Sequence, residues 1–415
     1  MISYYQALET VINNTKEISN EKVFFTQALG RVLAEDIYAD EDSPPEDNSG
    51  MDGFAVRFED IEGASEDNPA ILELIGESKA GGEQFSLFPK TAIAVYTGGL
   101  IPSEADTVIQ KELTKVEGSK VYIFSSLKKG ANVRKKGDDY RKGDLLLQSG
   151  TLIRPPELGI LSSVNKALVY VKRRPRVGIL TTGDEILDVG EERKKRSQIR
   201  TSNTYTLYGQ VIQAGGEPVI LGFAKDSPED IREKLRWAKD CDLLLTSGGM
   251  SVGEYDLVKD FVVEELGVEI VFWKVSQKPG KPVAFGVWGR EREKVFFGIP
   301  GNPVACIVIF ETLVKPAIKK MMGYRDLYNP VIYTTITKEY SRKSGDRLEF
   351  VRVKVSYSSG EFLSEPLEKQ GSNILTSMVN ANGLMIVEEG IKSIQEGEKV
   401  KVIIFDREFL DGKGL

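Results

Sequence analysis

The sequence predicts a multidomain α/β protein: a central doubly wound sheet, a β-rich insertion ahead of it and a small all-β domain behind it. Three observations carry this. From Arg176 to Met322, apolar runs ending in glycine turns alternate with segments of helical period, the signature of repeated β–α units and a mostly parallel sheet. Between the Pro44-Pro45 and Pro155-Pro156 pairs the chain offers short β-like runs. After Met322 the helical period stops and four segments alternate with period two, as half-buried strands do.

At 415 residues the chain is too long for one core and should form about two to four domains. N-terminal helices and a helix after Pro156 are expected to form one discontinuous domain, residues 1–45 and 147–174. Inserted into it is a β-rich unit over 46–146, carried by AILELIGESKAGG, TAIAVYTGG, DTVIQKELTKVE and KVYIFSSL. One continuous N-terminal domain is the alternative.

The α/β domain is expected over 175–325. RVGILTTG reads as a strand ending in a glycine turn, and NTYTLYGQVIQAGG as a helix stopped by Gly215-Gly216. EPVILGFAKD is a strand. SPEDIREKLRWAKD is a helix with Ser227 as N-cap and Pro228 at its first position, where its missing N–H does no harm. CDLLLTSGG is a strand and YDLVKDFVVEELG a helix; VEIVFWKV and KVFFGIPG are further strands, and PVACIVIFETLVKPAIKKMMG closes as one long helix. Residues 326–415 form the all-β domain, from VIYTTITKEY, LEFVRVKVSY, LMIVEEG and KVKVIIF.

Composition removes several chemistries. The chain has no histidine, which excludes Ser–His–Asp and Cys–His pairs and His-ligated zinc. A metal would be a hard cation held by oxygen, with Mg²⁺ first. The two cysteines, Cys241 and Cys306, sit beside or within apolar runs and read as buried reduced thiols. A net charge of −7 argues against nucleic acid as a partner. No apolar run approaches the roughly 20 residues of a membrane span, and no secretion signal opens the chain; a cytoplasmic location is expected. Basic clusters at Lys135, Lys136, Arg141 and Lys142, at Lys172, Arg173, Arg174 and Arg176, and at 193–196 are solvated loop charge or face an anionic small molecule.

In open α/β sheets ligands bind beyond the carboxyl ends of the strands. There the sequence places TTGDE, AKD, TSGGMSVGEYD and GIPGNP. TSGG (246–249) offers hydroxyls and backbone without bulk: a phosphate loop, or a turn needing glycine for steric reasons. It lacks the P-loop and GxGxxG spacings. KPGKP holds Lys278 and Lys281 around a forced turn; they are surface lysines, or two ammoniums with an anion between them. PGNP stops a strand or starts an anion-binding helix, with Asn302 as N-cap. Asp184, Glu185, Asp226 and Asp256 share the rim. One such carboxylate is a helix cap as readily as a site residue, but four beside lysines and a glycine loop suggest a bridging metal and phosphoryl or nucleotidyl chemistry. In DNSGMDGFAV (47–56) and GANVRKKGDDYRKGD (130–144), hairpin needs explain the glycines but not the charges at Asp52, Arg134 and Asp139.

Together NSGMDGFAV, GANVRKKGDD, LTTGDEIL, IRTSNTYTL, LLLTSGGMSVGEYD, WKVSQKPGKPVAFG, FFGIPGNPVA, LEFVRV and KQGSN resemble, in order, the molybdopterin molybdenumtransferase family of MoeA proteins and the gephyrin E domain. With SYYQALETVI the resemblance covers essentially the whole chain. It implies four subdomains, namely an elongated N-terminal domain, the insertion, a molybdopterin-binding α/β domain and a C-terminal β-barrel-like domain. It also implies a homodimer whose cleft joins the α/β domain of one subunit to the inserted domain of the other. The substrates would be adenylylated molybdopterin and molybdate, the products molybdenum cofactor and AMP, with Mg²⁺ assisting. Transient contact with other proteins of the same biosynthesis is implied too.

By the same resemblance Ser247, Gly248 and Gly249 of TSGG, with Pro300, Gly301, Asn302 and Pro303, would hold the pterin phosphate or pyrophosphate, and Thr182, Gly183, Ser251 and Gly253 would be further substrate-binding positions. Asp184, Glu185 and Asp256 hold the metal or position the adenylate. Asp52, Asp139 and Asp226 match other acidic positions of the cleft. Lys274, Lys278 and Lys281 match positions tied to the anionic ligands, and Arg352 and Ser372 match motif positions of the last domain. The competing readings are a related adenylyltransferase or CinA-like hydrolase, which lack NSGMDGFA and the C-terminal β domain, and a non-catalytic scaffold such as gephyrin provides.

Overall fold

The computed structural model describes residues 1–248 and 257–406. The chain forms two compact units, one of residues 35–149 with 155–168, the other of residues 1–34, 150–154 and 169 onward.

The first unit is built on a six-stranded sheet in the order Thr107–Gln110, Gly53–Val56, Thr91–Val95, Ala70–Ser78, Lys120–Ile123, Thr114–Glu117. Phe54, Val56, Leu72, Ile109, Val121 and Ile123 form a core on it. Gly53 is a steric requirement, because a Cβ there would lie 1.9 Å from the Ile109 carbonyl oxygen of the paired strand. A short strand, Asn48–Ser49, pairs antiparallel with Val133–Arg134. Pro155 and Pro156 open the helix Pro155–Ser163, the position where a proline imposes no hydrogen-bond loss.

In the second unit the expected N-terminal helices reduce to one α-helix among the described residues, Tyr4–Asn14, closed by a capping box between Ser3 and Gln6. The central sheet follows the predicted alternation: β1 (Arg176–Thr182), α1 (Asn203–Gln213), β2 (Glu217–Ala224), α2 (Pro228–Ala238), β3 (Leu243–Ser247), α3 (Leu257–Leu266), β4 (Glu269–Trp273), β5 (Ala284–Trp288), β6 (Lys294–Ile299) and α4 (Pro303–Ile309). Its order is β2–β1–β3–β6–β5–β4. The first four strands are parallel, whereas β5 runs antiparallel to β6 and β4 to β5, so one edge departs from the parallel expectation. β3 is buried at all five positions, as a central parallel strand must be. Ser227 caps α2 through the Asp230 amide, with Pro228 in the first turn; this cap and α2 follow the sequence expectation.

The long closing helix is not uniform. After α4 comes a π turn, Phe310–Val314, and then α5, Lys315–Met321. Pro316 cannot donate to the carbonyl of Thr312; the Tyr4 hydroxyl donates to that oxygen at 3.4 Å instead.

Behind α5, strands Leu348–Ser358, Glu361–Pro366, Val331–Ile336, Lys399–Ile404 and Gly383–Val387 close on one another as a barrel. Its core holds Val351, Val353, Val355, Met385, Val400 and Val402. Strand Val275–Lys278 pairs parallel with the start of Leu348–Ser358, through Gln277 with Leu348 and Lys278 with Glu349. That pairing ties the KPGKP turn to the barrel. No described helix is long and apolar enough to cross a membrane.

Candidate active site

The carboxyl ends of β1, β2, β3 and β6 are Thr182, Ala224, Ser247 and Ile299, so four of the predicted loops leave the same edge. Three meet at glycine. A Cβ on Gly248 would lie 2.4 Å from the Thr182 carbonyl oxygen, and φ there is +91°; only glycine fits without strain. Gly301 faces the Gly248 Cα. A Cβ on Gly183, at φ +141°, would lie 2.7 Å from the Glu185 carboxylate. The Gly248 N–H donates to Ile299 O at 3.3 Å, so this glycine joins the end of β3 to the end of β6 at a point of close approach. Gly249, Ser251, Gly253 and Asp256 lie outside the described residues.

The loops are stitched by a residue the motif reading did not single out. Asn203, first in α1, donates its Nδ2 to Ser247 Oγ at 2.8 Å and to Gly301 O at 2.9 Å. Hydroxyls of Thr181, Thr204 and Thr201 form a chain beside it, at 2.7 and 2.9 Å. Thr182 Oγ1 and Asn203 Oδ1 are buried without a protein partner. Buried polar atoms are normally matched, so these two leave hydrogen-bonding capacity open within the cluster. The signal was present in IRTSNTYTL, which holds Asn203.

On the outer rim Asp184, Glu185 and Asp226 are exposed, and the Asp226 amide donates to Asp184 Oδ1 at 3.2 Å. Burial, then the charges of Asp184 and Glu185, push the Asp226 carboxyl upward. Folding therefore strengthens proton binding at Asp226, and the stability tied to this group falls as pH rises through its titration. Replacing Asp184 by Asn should move the Asp226 titration down toward the ordinary carboxylate range, read by carboxyl-carbon NMR; an unmoved titration would show that the two charges are not coupled. Among the described residues no three acidic or thiol groups converge closely enough to hold a metal ion.

A second pocket, of ≈ 520 Å³, lies between the KPGKP turn, the PGNP turn and the barrel; Lys278, Lys281, Asn302, Arg347, Gln370 and Ser372 are among its lining. Lys278 and Lys281 do not face each other as bare ammoniums: Lys278 Nζ pairs with the buried Glu349 at 2.7 Å, and Glu349 also pairs with Arg342 at 3.3 Å. Lys274 does not line this pocket; its backbone joins the turn through Val283 O. Arg352 is buried, donating to the carbonyls of Lys369 and Gly371 at 2.9 and 3.3 Å. It thus holds the floor from which Gln370 and Ser372 reach the pocket, while Arg347, five residues earlier, supplies the lining guanidinium. Asn302 stands at the N-cap of α4 without a side-chain cap bond, Pro303 follows it, and the Val304 amide donates to Ser372 O at 3.0 Å.

In the other unit the two charged motifs are brought together. Ser49 pairs with Val133 and Asn48 with Arg134, and the Gly50 amide donates to Asn132 O at 2.8 Å. The Thr97 amide and hydroxyl, each 2.9 Å from Asp52 Oδ1, hold the Asp52 carboxyl low and ionised. Asp139 is exposed, and its amide donates to Ser43 O.

Family models match the chain in order: the MoeA N-terminal region (domains I and II) over 2–165, a probable molybdopterin binding domain over 178–320, and the MoeA C-terminal region (domain IV) over 335–405. A molybdopterin molybdenumtransferase of Bacillus subtilis is 35% identical over 409 residues, 97% of this chain and 94% of its own. One from Nostoc is 34% identical over 381 residues, 91% and 86%. A solved molybdopterin biosynthesis MoeA protein of Pyrococcus horikoshii superposes with a TM-score of 0.82 at 32% identity, covering 98% of this chain and 100% of that one. With near-complete coverage at this identity, the chain belongs to the molybdopterin molybdenumtransferase family.

Proposed function

We propose that this protein inserts molybdate into adenylylated molybdopterin with release of AMP, completing molybdenum cofactor. The observation that carries the reading is one edge of one unit where a glycine-hinged loop cluster, a carboxylate rim and a cationic pocket are all built. Full-length family membership favours it over an adenylyltransferase, a CinA-like hydrolase or a scaffold.

The polar cluster at Thr182, Asn203, Ser247 and Gly301 receives the pterin phosphate. Lys281 and Arg347, with Lys278 poised between Glu349 and an incoming anion, hold the tetrahedral oxyanion. Asp184 and Glu185, with Asp256, are the ligand set for Mg²⁺. The exposed oxygen donors of Asp184 and Glu185 suit a hard cation, and the charges of these two, which after burial push the Asp226 carboxyl upward, are a repulsion a cation would relieve. Bound there, Mg²⁺ supplies charge neutralisation at the phosphoanhydride. No protein thiol is needed, because the dithiolene sulfurs belong to the substrate. Burial pushes Cys306 up to about 12 and Cys241 up to about 11, which keeps both as inert thiols at neutral pH. A homodimer, a cytoplasmic location and the four-domain division belong to the same proposal, and light scattering tests the dimer.

The deciding assay is AMP release from adenylylated molybdopterin with and without molybdate. Release that requires molybdate is expected; release without it would indicate a hydrolase, and none at all a scaffold. In Lys278→Ala the molybdate dissociation constant should rise about tenfold, the loss of one charge-assisted contact, with pterin affinity changed less. Equal loss of both in calorimetric titrations would remove Lys278 from the oxyanion site.

A further inference from the structure

Helices α1 and α4 each present a residue to the loop cluster from their beginnings: Asn203 opens α1, and Asn302 is the N-cap of α4. Farther along, the same helical rods are joined again. Gln210 of α1 donates its Nε2 to Glu311 Oε1 at 3.0 Å and to Ile307 O at 3.4 Å. Glu311 is buried in the π turn after α4, and its Oε2 accepts Lys315 Nζ and Asn329 Nδ2, both at 2.8 Å. At 1.5 Å per residue, the second junction lies about 10 Å along α1 from Asn203 and about 13 Å from Asn302.

Among the described residues no hydrogen bond or ion pair joins this quartet to Thr182, Asn203, Ser247 or Gly301, and it is an expensive way to pack two helices. Buried charges and amides give up hydration that apolar side chains of the same volume would not, and Gln210 Oε1 has no partner at all. Its geometry supplies what an apolar contact does not. Apolar contacts such as those of Leu207, Val211, Val304 and Val308 in the shared core are non-directional, whereas hydrogen bonds at a second point fix the angle between the helices. π turns inside helices are frequent at functional sites, and Glu311 lies in this one.

We propose that Gln210 and Glu311 are positioning residues for the reaction: their bond fixes the angle between α1 and α4, and through it the spacing of Asn203, Gly301 and Asn302 around the pterin phosphate. The inference rests on the functional reading above.

The test compares wild type with Gln210→Leu, Glu311→Ala, Glu311→Gln and, as a stability control, Val400→Ala in the distant barrel core. Leucine removes an unmatched polar atom along with the donor to Glu311, and Lys315 and Asn329 still hold that carboxylate, so Gln210→Leu should melt within a few degrees of wild type. It should nevertheless raise KM for adenylylated molybdopterin about fivefold and quicken amide exchange about tenfold over residues 203–206 and 301–306, since small displacements at a reacting centre are amplified. Glu311→Ala should change KM and exchange likewise but melt lower, because Lys315 and Asn329 lose their buried acceptor, with Glu311→Gln restoring most of KM because it keeps an acceptor for Gln210. Val400→Ala should lower the melting temperature and leave KM unchanged. Wild-type KM and exchange in Gln210→Leu, or changes in both that Val400→Ala reproduces, would overturn the proposal. Should wild type show no molybdate-dependent AMP release, the functional reading fails, and amide exchange alone still decides the clamp.

Discussion

Asp184→Ala and Glu185→Ala are each expected to lower molybdate-dependent AMP release by about 10²–10³-fold, the usual effect of removing one preorganised electrostatic group from a reacting centre. Stability should hardly change, because both side chains are exposed and neither anchors the core. Each replacement also removes one of the charges pushing the Asp226 carboxyl upward, so any residual activity should persist to lower pH in both variants. Single-turnover assays across pH 5–8 at saturating molybdate are the measurement. Full activity in both variants would remove the carboxylate rim from the mechanism.

Gly248→Ala is the second large effect, and it arises from shape. The new Cβ would lie 2.4 Å from the Thr182 carbonyl oxygen, on a residue at φ +91°. Left-handed backbone alone costs about 1–3 kcal/mol for a residue with a side chain, and the contact forces β1 and β3 loops apart. Differential scanning calorimetry should show a lowered transition, and pterin binding should fall about 10²-fold as the cluster at Asn203 and Gly301 loses register. A variant that binds pterin normally would show that the hinge tolerates separation.

Much of this architecture was legible in local chemistry. Ser227-Pro228 announces the start of α2, and the uninterrupted apolar run into Ser247 announces a central parallel strand. The motif order from NSGMDGFAV to KQGSN is enough to suggest the family. Local chemistry misled where a neighbour in space decided the outcome. Lys278 and Lys281 look like an unscreened pair until Glu349, seventy-one residues after Lys278, is brought to 2.7 Å. Arg352 matches a motif position by sequence; in the fold it is buried on the strand face opposite Val351 and Val353, where it holds the Lys369 and Gly371 carbonyls. Arg347 lines the pocket instead.

By itself the sequence determined what each segment is able to do. Periodicity set strand against helix, the lack of histidine moved any metal chemistry onto oxygen ligands, and glycine and proline set the turns. Those are properties of a residue and its near neighbours along the chain. Only the tertiary structure decided which charges are neutralised, which glycine is a steric hinge, and that Asn203 and Gln210 join α1 to its surroundings at two points. Burial, hydrogen bonding and electrostatic coupling depend on distance in space, and the folded chain sets those distances between residues far apart in sequence.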